Sequence, residues 1–340
     1  MKSTYNLNDV EFLLTDVTGK VPQVTVEEKK ERVNRGEYPR SILIEEYKMD
    51  KKYLDTCLQL GQDYIKQTAI AVGNLAEQLY KYKTENLVLV SIVRSGIPIG
   101  ILVKRYLKNK YNIDVYHYAI SLIEGLDKNG MKYILSKHKP EYIQFIDSWT
   151  GKGTVTRDVI NSAKDYEGVD ASLAVLSDCL NLTKYCGIRE DIAIPQAPIN
   201  ACITGLVSMP IHNNPFVGKE NFDGAIYLEE LEEMDVSQKY LDLVEKEFDY
   251  SCNANGYTDN IEKVEEITKI AKDYNVNLSQ LNPGINEAAR AILRRKVAKL
   301  LVKNKNDFQV KEIIELAKLK NIEIEEYDFK YYKASSIAID

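Results

Sequence analysis

Apolar and polar positions follow two patterns in the first half of the chain: continuous apolar runs, and apolar residues at helical spacing. The run LVLVSIV (87–93) is typical of a strand buried on both faces, whereas the apolar positions of 51–83 recur near the period of a helix. The pattern predicts four strands, at 87–93, 113–121, 142–146 and 171–177. It predicts four helices, at about 51–83, 98–107, 131–138 and 155–165. Strands that alternate with helices predict a doubly wound, parallel α/β sheet with helices on both faces.

The pattern of apolar and polar positions also divides the chain after residue 177 into further parts. Residues 178–220 are irregular, and 221–250 form an acidic helical stretch. The last part predicts a second, smaller α/β domain with helices at 261–274, 286–296 and 308–320 and strands at 298–303 and 322–328, followed by a tail. We therefore predict four units: an N-terminal extension (1–50), a sheet domain (51–220), an acidic helical connector (221–260) and a C-terminal domain (261–340).

Composition supports a folded protein and excludes several classes. A length of 340 residues suggests two domains, and 44% hydrophobic residues with a net charge of −6 do not fit a disordered chain. The most apolar stretch, 87–103, is interrupted by Arg94 and by glycines and proline, so we expect no membrane span. The N-terminus lacks the apolar run of a signal peptide. The five cysteines have no CxxC spacing, which argues against a disulfide framework or zinc ribbon and predicts reduced thiols in the cytoplasm.

The net charge conceals an uneven distribution along the chain. Residues 221–250 carry ten acidic against two basic side chains, whereas residues 282–305 carry seven basic against one acidic. A chain close to neutral overall can therefore present a basic face on its C-terminal domain. This distribution is a first indication of contact with nucleic acid.

The segment DSWTGKGT (147–154), directly after a predicted strand, has the features of a phosphate-binding loop. Its two glycines allow a tight turn in which successive N–H groups can point at an anion, and the following helix adds its N-terminal dipole. Thr150 and Thr154 offer hydroxyls to the same oxygens. Asp147 is suited to accept hydrogen bonds from sugar hydroxyls or to hold a metal ion. The alternative is a glycine turn without a ligand.

Four separated segments, in this order, resemble one bacterial family: LVSIVRSGIPIGILVKR (89–105), HYAISLIEGLDKNGMKYI (117–134), FIDSWTGKGT (145–154) and INACITGLVSMPIHN (199–213). The third segment looks like the phosphoribosyl-diphosphate loop of type I phosphoribosyltransferases. The family is that of the phosphoribosyltransferase-like proteins of tellurite-resistance (Ter) stress operons, also labelled the cysteine protease StiP. The resemblance covers about residues 10–220.

This resemblance implies a type I phosphoribosyltransferase-like fold and phosphoribosyl transfer from phosphoribosyl diphosphate, bound with Mg²⁺, to an unidentified base-like acceptor. It implies that Asp147 and Arg94 are catalytic and that Asp147 also holds the metal. By the same resemblance, the residues that bind phosphoribosyl diphosphate are Ser95, Gly96, Ser148, Thr150, Gly151, Lys152, Gly153 and Thr154. The loop departs from the usual type I pattern because Ser148 replaces a second acid and the loop is shorter.

The cysteine-protease label needs a thiolate that a nearby base activates. Cys202 and His212 are ten residues apart in the irregular segment, so they could meet. Small buried cysteines are common, however, and we expect Cys202 to lie in the core or to line a pocket. Proteolysis through Cys202 is therefore kept as a minor alternative.

The stretch GINEAAR (284–290) resembles the signature of the Pelota and kink-turn-binding ribosomal-protein superfamily. A glycine turn before a helix that begins Asn-Glu suits a bulged RNA, because the helix start and arginine meet phosphates while Asn and Glu contact base edges. By resemblance, the residues that contact RNA are Gly284, Asn286, Glu287 and Arg290. The alternative is a solvated basic helix.

Two functional hypotheses follow from these observations. The first is a cytoplasmic phosphoribosyltransferase with an RNA-binding domain, active in Ter-linked stress response and in synthesis of a nucleoside-like product. The second is a non-catalytic RNA-binding regulator that senses a sugar phosphate. The expected partners are phosphoribosyl diphosphate, a base-like small molecule and structured RNA, with no membrane, and a homodimer is left open.

Overall fold

Strands and helices alternate through most of the chain, of which the computed structural model describes residues 1–47, 51–83, 86–254 and 265–339. The strands are β1 (Glu11–Phe12), β2 (Thr15–Asp16), β3 (Gln23–Val24), β4 (Leu43–Ile44), β5 (Val88–Ile92), β6 (Tyr116–Ile120), β7 (Ile143–Ile146), β8 (Leu173–Ser177), β9 (Tyr185–Ile188), β10 (Gly224–Ala225), β11 (Leu281–Pro283), β12 (Val297–Val302), β13 (Glu323–Glu326) and β14 (Ala334–Ala338). The α-helices are α1 (Val26–Asn34), α2 (Lys51–Lys83), α3 (Gly96–Tyr111), α4 (Lys128–Lys137), α5 (Thr154–Ala163), α6 (Asn200–Ile203), α7 (Ser237–Lys246), α8 (Glu265–Asp273), α9 (Ile285–Arg294) and α10 (Lys311–Leu319). Within these ranges, no helix has the length and apolarity needed to cross a membrane.

A six-stranded parallel sheet organises the first domain, in the order β1-β6-β5-β7-β8-β9. Its inner strands β5, β7 and β8 are buried along their whole length because helices cover both faces. Adjacent residues of β5 face opposite sides: Leu89 packs with Leu75 of α2 and Leu102 of α3, whereas Val90 packs in the cluster of Met131 of α4. The prediction of a parallel α/β sheet with helices on both faces is confirmed.

Two segments that the sequence predicts outside the sheet domain pack into it. Residues 1–47 of the predicted extension supply β1, which pairs with β6, and β2, which pairs with β10, while residues 48–50 lie outside the described residues. Helix α7 of the predicted acidic connector buries Tyr240, Leu241 and Val244 in the core beside α3. The two-residue strands are too short to give a periodic pattern, which is why the sequence does not reveal them. Residues 255–260 of the predicted connector lie outside the described residues.

The second domain is a four-stranded sheet in the order β11-β14-β12-β13, packed on α9 and α10. The sequence predicts β12, β13 and the helices, but treats β11 as a loop and β14 as part of a tail. Strand β14, with the sequence ASSIA, is fully buried between β11 and β12. Its small polar residues lack the β-branched or aromatic character of a recognisable strand. Residues 261–264 of the predicted helix 261–274 lie outside the described residues.

Apolar contacts join the two domains. Tyr64 of α2 and Ala193 belong to the core cluster around α9 and α10, and Leu180 and Leu182 belong to the cluster around α8 and β11. These contacts hold helix α9 over the carboxyl ends of the parallel strands. That edge of the sheet is where ligands of open α/β folds bind.

Candidate functional site: a cavity between the two domains

The loop 147–154 turns tightly between β7 and α5. Gly151 and Gly153 have positive φ values of 51° and 78°, a conformation that glycine adopts without a steric penalty. The N–H of Gly153 donates to the carbonyl of Thr150 over 2.8 Å, and α5 begins at the next residue. The Thr150 hydroxyl donates to Asp178 over 3.0 Å, so it is already engaged, whereas Thr154 is exposed. The predicted tight glycine turn is therefore present, but the hydroxyl of Thr150 already forms a hydrogen bond within the protein.

The loop after β5 interlocks with this turn. Ser95 Oγ donates to Asp147 Oδ1 over 2.6 Å, and Ser148 Oγ donates to the Ser95 carbonyl over 2.6 Å. Gln196 Nε2 donates to the same carbonyl over 2.8 Å. Gly96 has no room for a side chain, because a Cβ there would overlap the Ile146 carbonyl oxygen. The structure thus brings together Ser95, Asp147 and Ser148, which the sequence names as site residues.

Arg94 points away from this turn. It is buried and pairs with Glu46 over 2.8 Å, and Glu46 in turn pairs with Arg294 of α9 over 3.0 Å. Burial alone would raise the pKa of Glu46, but the two guanidinium groups lower it to about 2. The catalytic role expected for Arg94 is not supported by this placement, because its charge is matched by a carboxylate.

A cavity of about 190 Å³ lies between the two interlocked loops and the second domain. Its walls on the first domain are Ser95, Asp147, Trp149, Thr150, Lys152, Thr154 and Val155. The second domain contributes Leu281, Asn282, Pro283, Glu287 and Arg290. Lys152 Nζ donates to the carbonyls of Leu278 and Leu281, over 2.8 and 3.0 Å, and so bridges the domains beside the cavity. The cavity is therefore a joint product of both domains.

The GINEAAR segment faces the first domain. Asn286 is buried, donates to the Ile192 carbonyl over 2.9 Å and accepts from the Ile194 N–H over 2.9 Å. The N–H of Ile285 donates to Asp191 over 3.1 Å. The signature thus lies in the interface between the domains, where the sequence predicts an RNA-contacting face. The RNA role of Asn286, its neighbours Gly284 and Glu287, and Arg290 stays a prediction.

Arg290 and Glu287 complete the cavity wall from α9. Glu287 accepts a hydrogen bond from Trp149 Nε1 over 2.8 Å and lies 3.5 Å from Arg290. The Arg290 guanidinium lies 5.7 Å from the centre of the Trp149 ring, within cation–π distance. A cation, an indole and a carboxylate therefore meet opposite Asp147.

Two buried carboxyl groups have raised pKa values. Burial raises the pKa of Asp147 to about 6, although bonds from Ser95 and Ser148 oppose the shift. Burial likewise raises the pKa of Asp191 to about 6, against backbone donors that include the N–H groups of Lys333 and Ile285. Both groups therefore titrate close to neutral pH, which is a property of groups that exchange protons with ligands as well as of buried structural acids.

The described cysteines do not meet a histidine. Cys179, Cys186, Cys202 and Cys252 are free thiols, and none of them is hydrogen-bonded to an imidazole. His212 Nδ1 instead contacts Asp223 over 2.6 Å. Burial raises the pKa of Cys202 to about 11, although Arg94 opposes the shift. Cys202 therefore lies in the core, as expected, and the structure does not pair it with His212.

Four residues that shape this region were not among the predicted site residues: Glu46, Trp149, Asp191 and Gln196. Trp149 lies inside the predicted loop, so its position was available from the sequence. Glu46, Asp191 and Gln196 lie in segments without periodicity or motif. Their roles depend on partners 48 to 248 residues away along the chain.

The parallel sheet domain and the smaller α/β domain, with a cavity closed between them, define a two-domain α/β protein. Residues 3–245 match the family described as Tellurite-like stress resistance cysteine protease StiP, and the chain belongs to that family. Residues 261–339 match the PELOTA RNA binding domain. A curated relative, Cysteine protease StiP of Acinetobacter baylyi (strain ATCC 33305 / BD413 / ADP1), is 28% identical over 329 residues, covering 89% of this chain and 85% of the relative.

A solved structure, hypoxanthine-guanine-xanthine phosphoribosyltransferase (HGXPRTase), is 16% identical and covers 39% of this chain and 79% of its own. Its TM-score of 0.25 carries no argument about activity. The prediction of phosphoribosyl transfer is wrong, because the family and the curated relative are both named as a cysteine protease. The resemblance to the StiP family and to a Pelota domain is confirmed, and the family's name is that of an enzyme.

Proposed function

We propose that this chain is a stress-resistance enzyme that binds a small anionic molecule, such as a phosphate ester or a diphosphate, in the cavity between its domains. The observation that carries the proposal is the meeting of a glycine loop at the start of α5 with Arg290 of α9 around one cavity. Backbone N–H groups at a helix start and a guanidinium group are both donors that recognise phosphate oxygens.

The side chains of the cavity suggest a division of roles. Lys152 is held by two backbone carbonyls, so it adds positive charge at a fixed position. Asp147, with a pKa raised by burial to about 6, is suited to exchange a proton with a ligand hydroxyl. Thr154 lies on the same wall with an exposed hydroxyl group, whereas the Ser95 hydroxyl already donates to Asp147. The ligand class that this set favours carries an anionic group and hydroxyl groups.

Magnesium belongs to this proposal only as a companion of the ligand. Asp147 Oδ1 already accepts two hydrogen bonds, and the described part of the chain has no cluster of three or more acidic, His or Cys side chains suited to a metal. These residues do not fit a resident magnesium site. Mg²⁺ commonly binds through one or two carboxylates together with the phosphates of a ligand, so we expect it to arrive with a diphosphate.

Calorimetric titration with inorganic pyrophosphate, ribose 5-phosphate and phosphoribosyl diphosphate, each with and without Mg²⁺, tests this proposal. We expect saturable binding of one molecule per chain, weakened about tenfold by Arg290→Gln, the usual effect of removing one charge-assisted hydrogen bond. Lys296→Gln is the matched control, because Lys296 is exposed on the same domain and outside the cavity. Absence of binding by all three probes, or equal loss in the control, would overturn the proposal.

RNA is proposed as a second partner, and the match of residues 261–339 to the PELOTA RNA binding domain supports it. The C-terminal domain exposes several lysines, including Lys296, Lys303, Lys305 and Lys311. A filter-binding titration of a bulged RNA hairpin against the full chain tests this partner. Arg290→Ala is expected to weaken binding and to flatten its dependence on salt, whereas unchanged affinity would remove Arg290 from the RNA site.

Cysteine proteolysis is the second candidate function, and membership of a family named for it favours the idea. Cys202 is the cysteine to test first, because the Arg94 guanidinium opposes part of the rise in its pKa, to about 11, that burial causes. The assay is hydrolysis of fluorescently labelled casein by the wild-type chain, Cys202→Ser and, as a control, the buried Cys186→Ser. Loss of hydrolysis in Cys202→Ser alone would support the role, and equal activity in all three proteins would exclude it.

A further inference from the structure

A second and larger cavity, of about 610 Å³, opens beside the segment 39–47. Helix α1, the residues Met209, Pro210 and Ile211, and the end of α9 form its other walls. It shares no lining residue with the cavity at loop 147–154. We call it the α1 groove. A cavity of this size is large enough for an organic ligand, and the proposed function of the loop cavity does not use it.

The floor of the α1 groove is aliphatic. Ile42 and Leu43 are buried core residues, and Ile44, Ile211 and Leu293 continue the apolar surface. The uncharged polar side chains of the described lining are those of Thr25, which already accepts the Glu28 N–H as the N-cap of α1, and Tyr47. The aliphatic floor therefore suits a ligand with an apolar body.

The rim of the groove carries cations that no carboxylate neutralises. Lys29 Nζ donates to the Ile42 carbonyl over 3.1 Å, which leaves an ammonium group two further N–H donors. Neither Lys29 nor Arg40 forms an ion pair with any described residue. Burial, and the nearby charge of Arg40, lower the pKa of Lys29, as expected for a lysine that lacks an acidic partner.

The acidic side chains of the groove do not cancel this charge. Glu46 is shared between two arginines, Arg94 and Arg294, so that corner carries a net positive charge. Glu45, which also lines the groove, is exposed to solvent and forms no ion pair with Lys29 or Arg40 in the described part of the chain. The groove therefore combines an aliphatic floor with an excess of positive charge, the complement of an anion with an aliphatic chain.

We propose that the α1 groove binds a medium-chain aliphatic anion, a carboxylate or a phosphate monoester, with the chain on Ile42, Ile44 and Leu293 and the head group at Lys29 and Arg40. Both head groups share the chemistry of an oxyanion that accepts charge-assisted hydrogen bonds. The proposal is independent of the loop cavity and of any reaction that occurs there.

Calorimetric titration of the full chain with decanoate and decyl phosphate, each below its micelle-forming concentration, tests the proposal. Decanol supplies the chain without the charge, and inorganic phosphate supplies the charge without the chain. We expect one decanoate or one decyl phosphate per chain, and at least tenfold weaker binding of decanol and of phosphate. If only one of the two head groups binds, the groove is selective for that source of the oxyanion, and the site is still supported.

Substitutions locate the bound molecule. Lys29→Gln and Arg40→Gln are each expected to weaken decanoate binding about tenfold, the usual effect of losing one charge-assisted hydrogen bond. Lys30→Gln, on the exposed side of the same helix, is the matched control and should leave affinity unchanged. Circular dichroism of each variant confirms that the chain is folded.

Three outcomes would overturn the proposal: no binding of either amphiphile, equal binding of decanol, or binding that neither Lys29→Gln nor Arg40→Gln weakens. Asp147→Asn separates this site from the loop cavity. Decanoate binding to the α1 groove is expected to survive Asp147→Asn. A negative result for anion binding at the loop cavity therefore does not count against the α1 groove, and a negative result for decanoate does not count against the loop cavity.

Discussion

Trp149 of the glycine loop donates its indole N–H to the carboxylate of Glu287, 2.8 Å away on the first turn of α9. The two residues belong to different domains and are 138 positions apart in the chain. Their bond fixes the loop against the helix and makes one wall of the cavity. The signature helix of the C-terminal domain therefore acts, in this structure, as part of the pocket of the first domain.

Removal of this bond should loosen the interface between the domains. We expect Glu287→Ala to reduce the free energy of unfolding by about 1 to 2 kcal/mol, because the buried indole N–H loses its acceptor. Hydrogen exchange should increase in β11 and α9, which carry the interface. Glu315→Ala is the control, since Glu315 lies on the exposed face of α10 and pairs with Lys318 of the same helix. Equal exchange rates in both variants would contradict a role for the bond in docking.

Glu46→Gln should be strongly destabilising. The substitution leaves the buried Arg94 without a full countercharge, and breaking a buried ion pair costs about 3–5 kcal/mol. The neighbouring Glu45→Gln is the matched control, because Glu45 is exposed and forms no ion pair with the described residues. Urea unfolding of both variants measures the difference, and a cost below about 1 kcal/mol for Glu46→Gln would show that the pair contributes little.

The same glutamate predicts a loss of stability in acid. Its pKa, lowered to about 2 in the folded chain by two arginines, is below the ordinary value of 4.5. The folded state therefore binds this proton more weakly than the unfolded state, and the stabilisation is present above about pH 4.5 and is lost as the pH falls towards 2. Unfolding free energies of the wild type and Glu46→Gln should converge over that range, and parallel curves would refute the linkage.

The Asp147 carboxyl should affect stability with a pH dependence opposite to that of Glu46. Burial raises the pKa of Asp147 from 3.8 to about 6, so its contribution to stability is full below about pH 4 and is lost as the pH rises through 6. A shift of that size corresponds to about 2 to 3 kcal/mol. We expect Asp147→Asn to gain stability relative to the wild type between pH 4 and pH 7, because asparagine can accept the same two hydrogen bonds without becoming charged.

Chemical denaturation across that pH range measures the Asp147 effect. Asp158→Asn, a substitution of an exposed aspartate on α5, is the control. Asp191 also titrates near pH 6, but its contribution is common to the wild type and both variants and cancels in the comparison. A pH-independent difference for Asp147→Asn would mean that the carboxyl is ionised throughout.

Gly96→Ala should disturb the interlocked loops. A Cβ at this position would overlap the Ile146 carbonyl oxygen and lie 3.2 Å from Asp147 Cα, and both are backbone atoms that cannot turn aside. Overpacking of this kind costs about 1–3 kcal/mol. Gly218→Ala is the control, because its Cβ would meet only the flexible side chain of Asn221. Thermal unfolding compares the two variants, and equal midpoints would show that the loops separate easily.

Local features of the site were predictable from the sequence, but their partners were not. The glycine turn of loop 147–154 follows from residue type and spacing over a few positions, whereas the close approach at Gly96 depends on the Ile146 carbonyl, 50 residues away along the chain. The roles of Asn286 and Glu287 required knowledge of Ile192, Ile194 and Trp149, which lie 92 to 138 residues away. Those pairings depend on how the chain closes on itself, and no local pattern encodes them.

The difference between local patterns and distant pairings also explains which strands the sequence failed to predict. The four inner strands of the sheet, β5 to β8, are recognisable in the sequence because burial of a strand on two faces leaves a continuous apolar run, and the helices between them show a helical period. Strand β14 is equally buried, but four of its five residues are alanine or serine, so only pairing with β11 and β12 identifies it as a strand. The short strand β1 is recognisable only from its pairing with β6.

The sequence by itself determined a parallel α/β domain with a glycine loop at the ends of its strands, followed by a basic C-terminal domain with a Pelota-like signature. Only the tertiary structure decided that this signature faces inwards. The physical reason is that the backbone of residues 192–194 satisfies the amide of Asn286, and Asp191 accepts the N–H of Ile285, so these polar groups can be buried at the interface. A basic helix that looks exposed in the sequence thereby becomes a wall of the cavity.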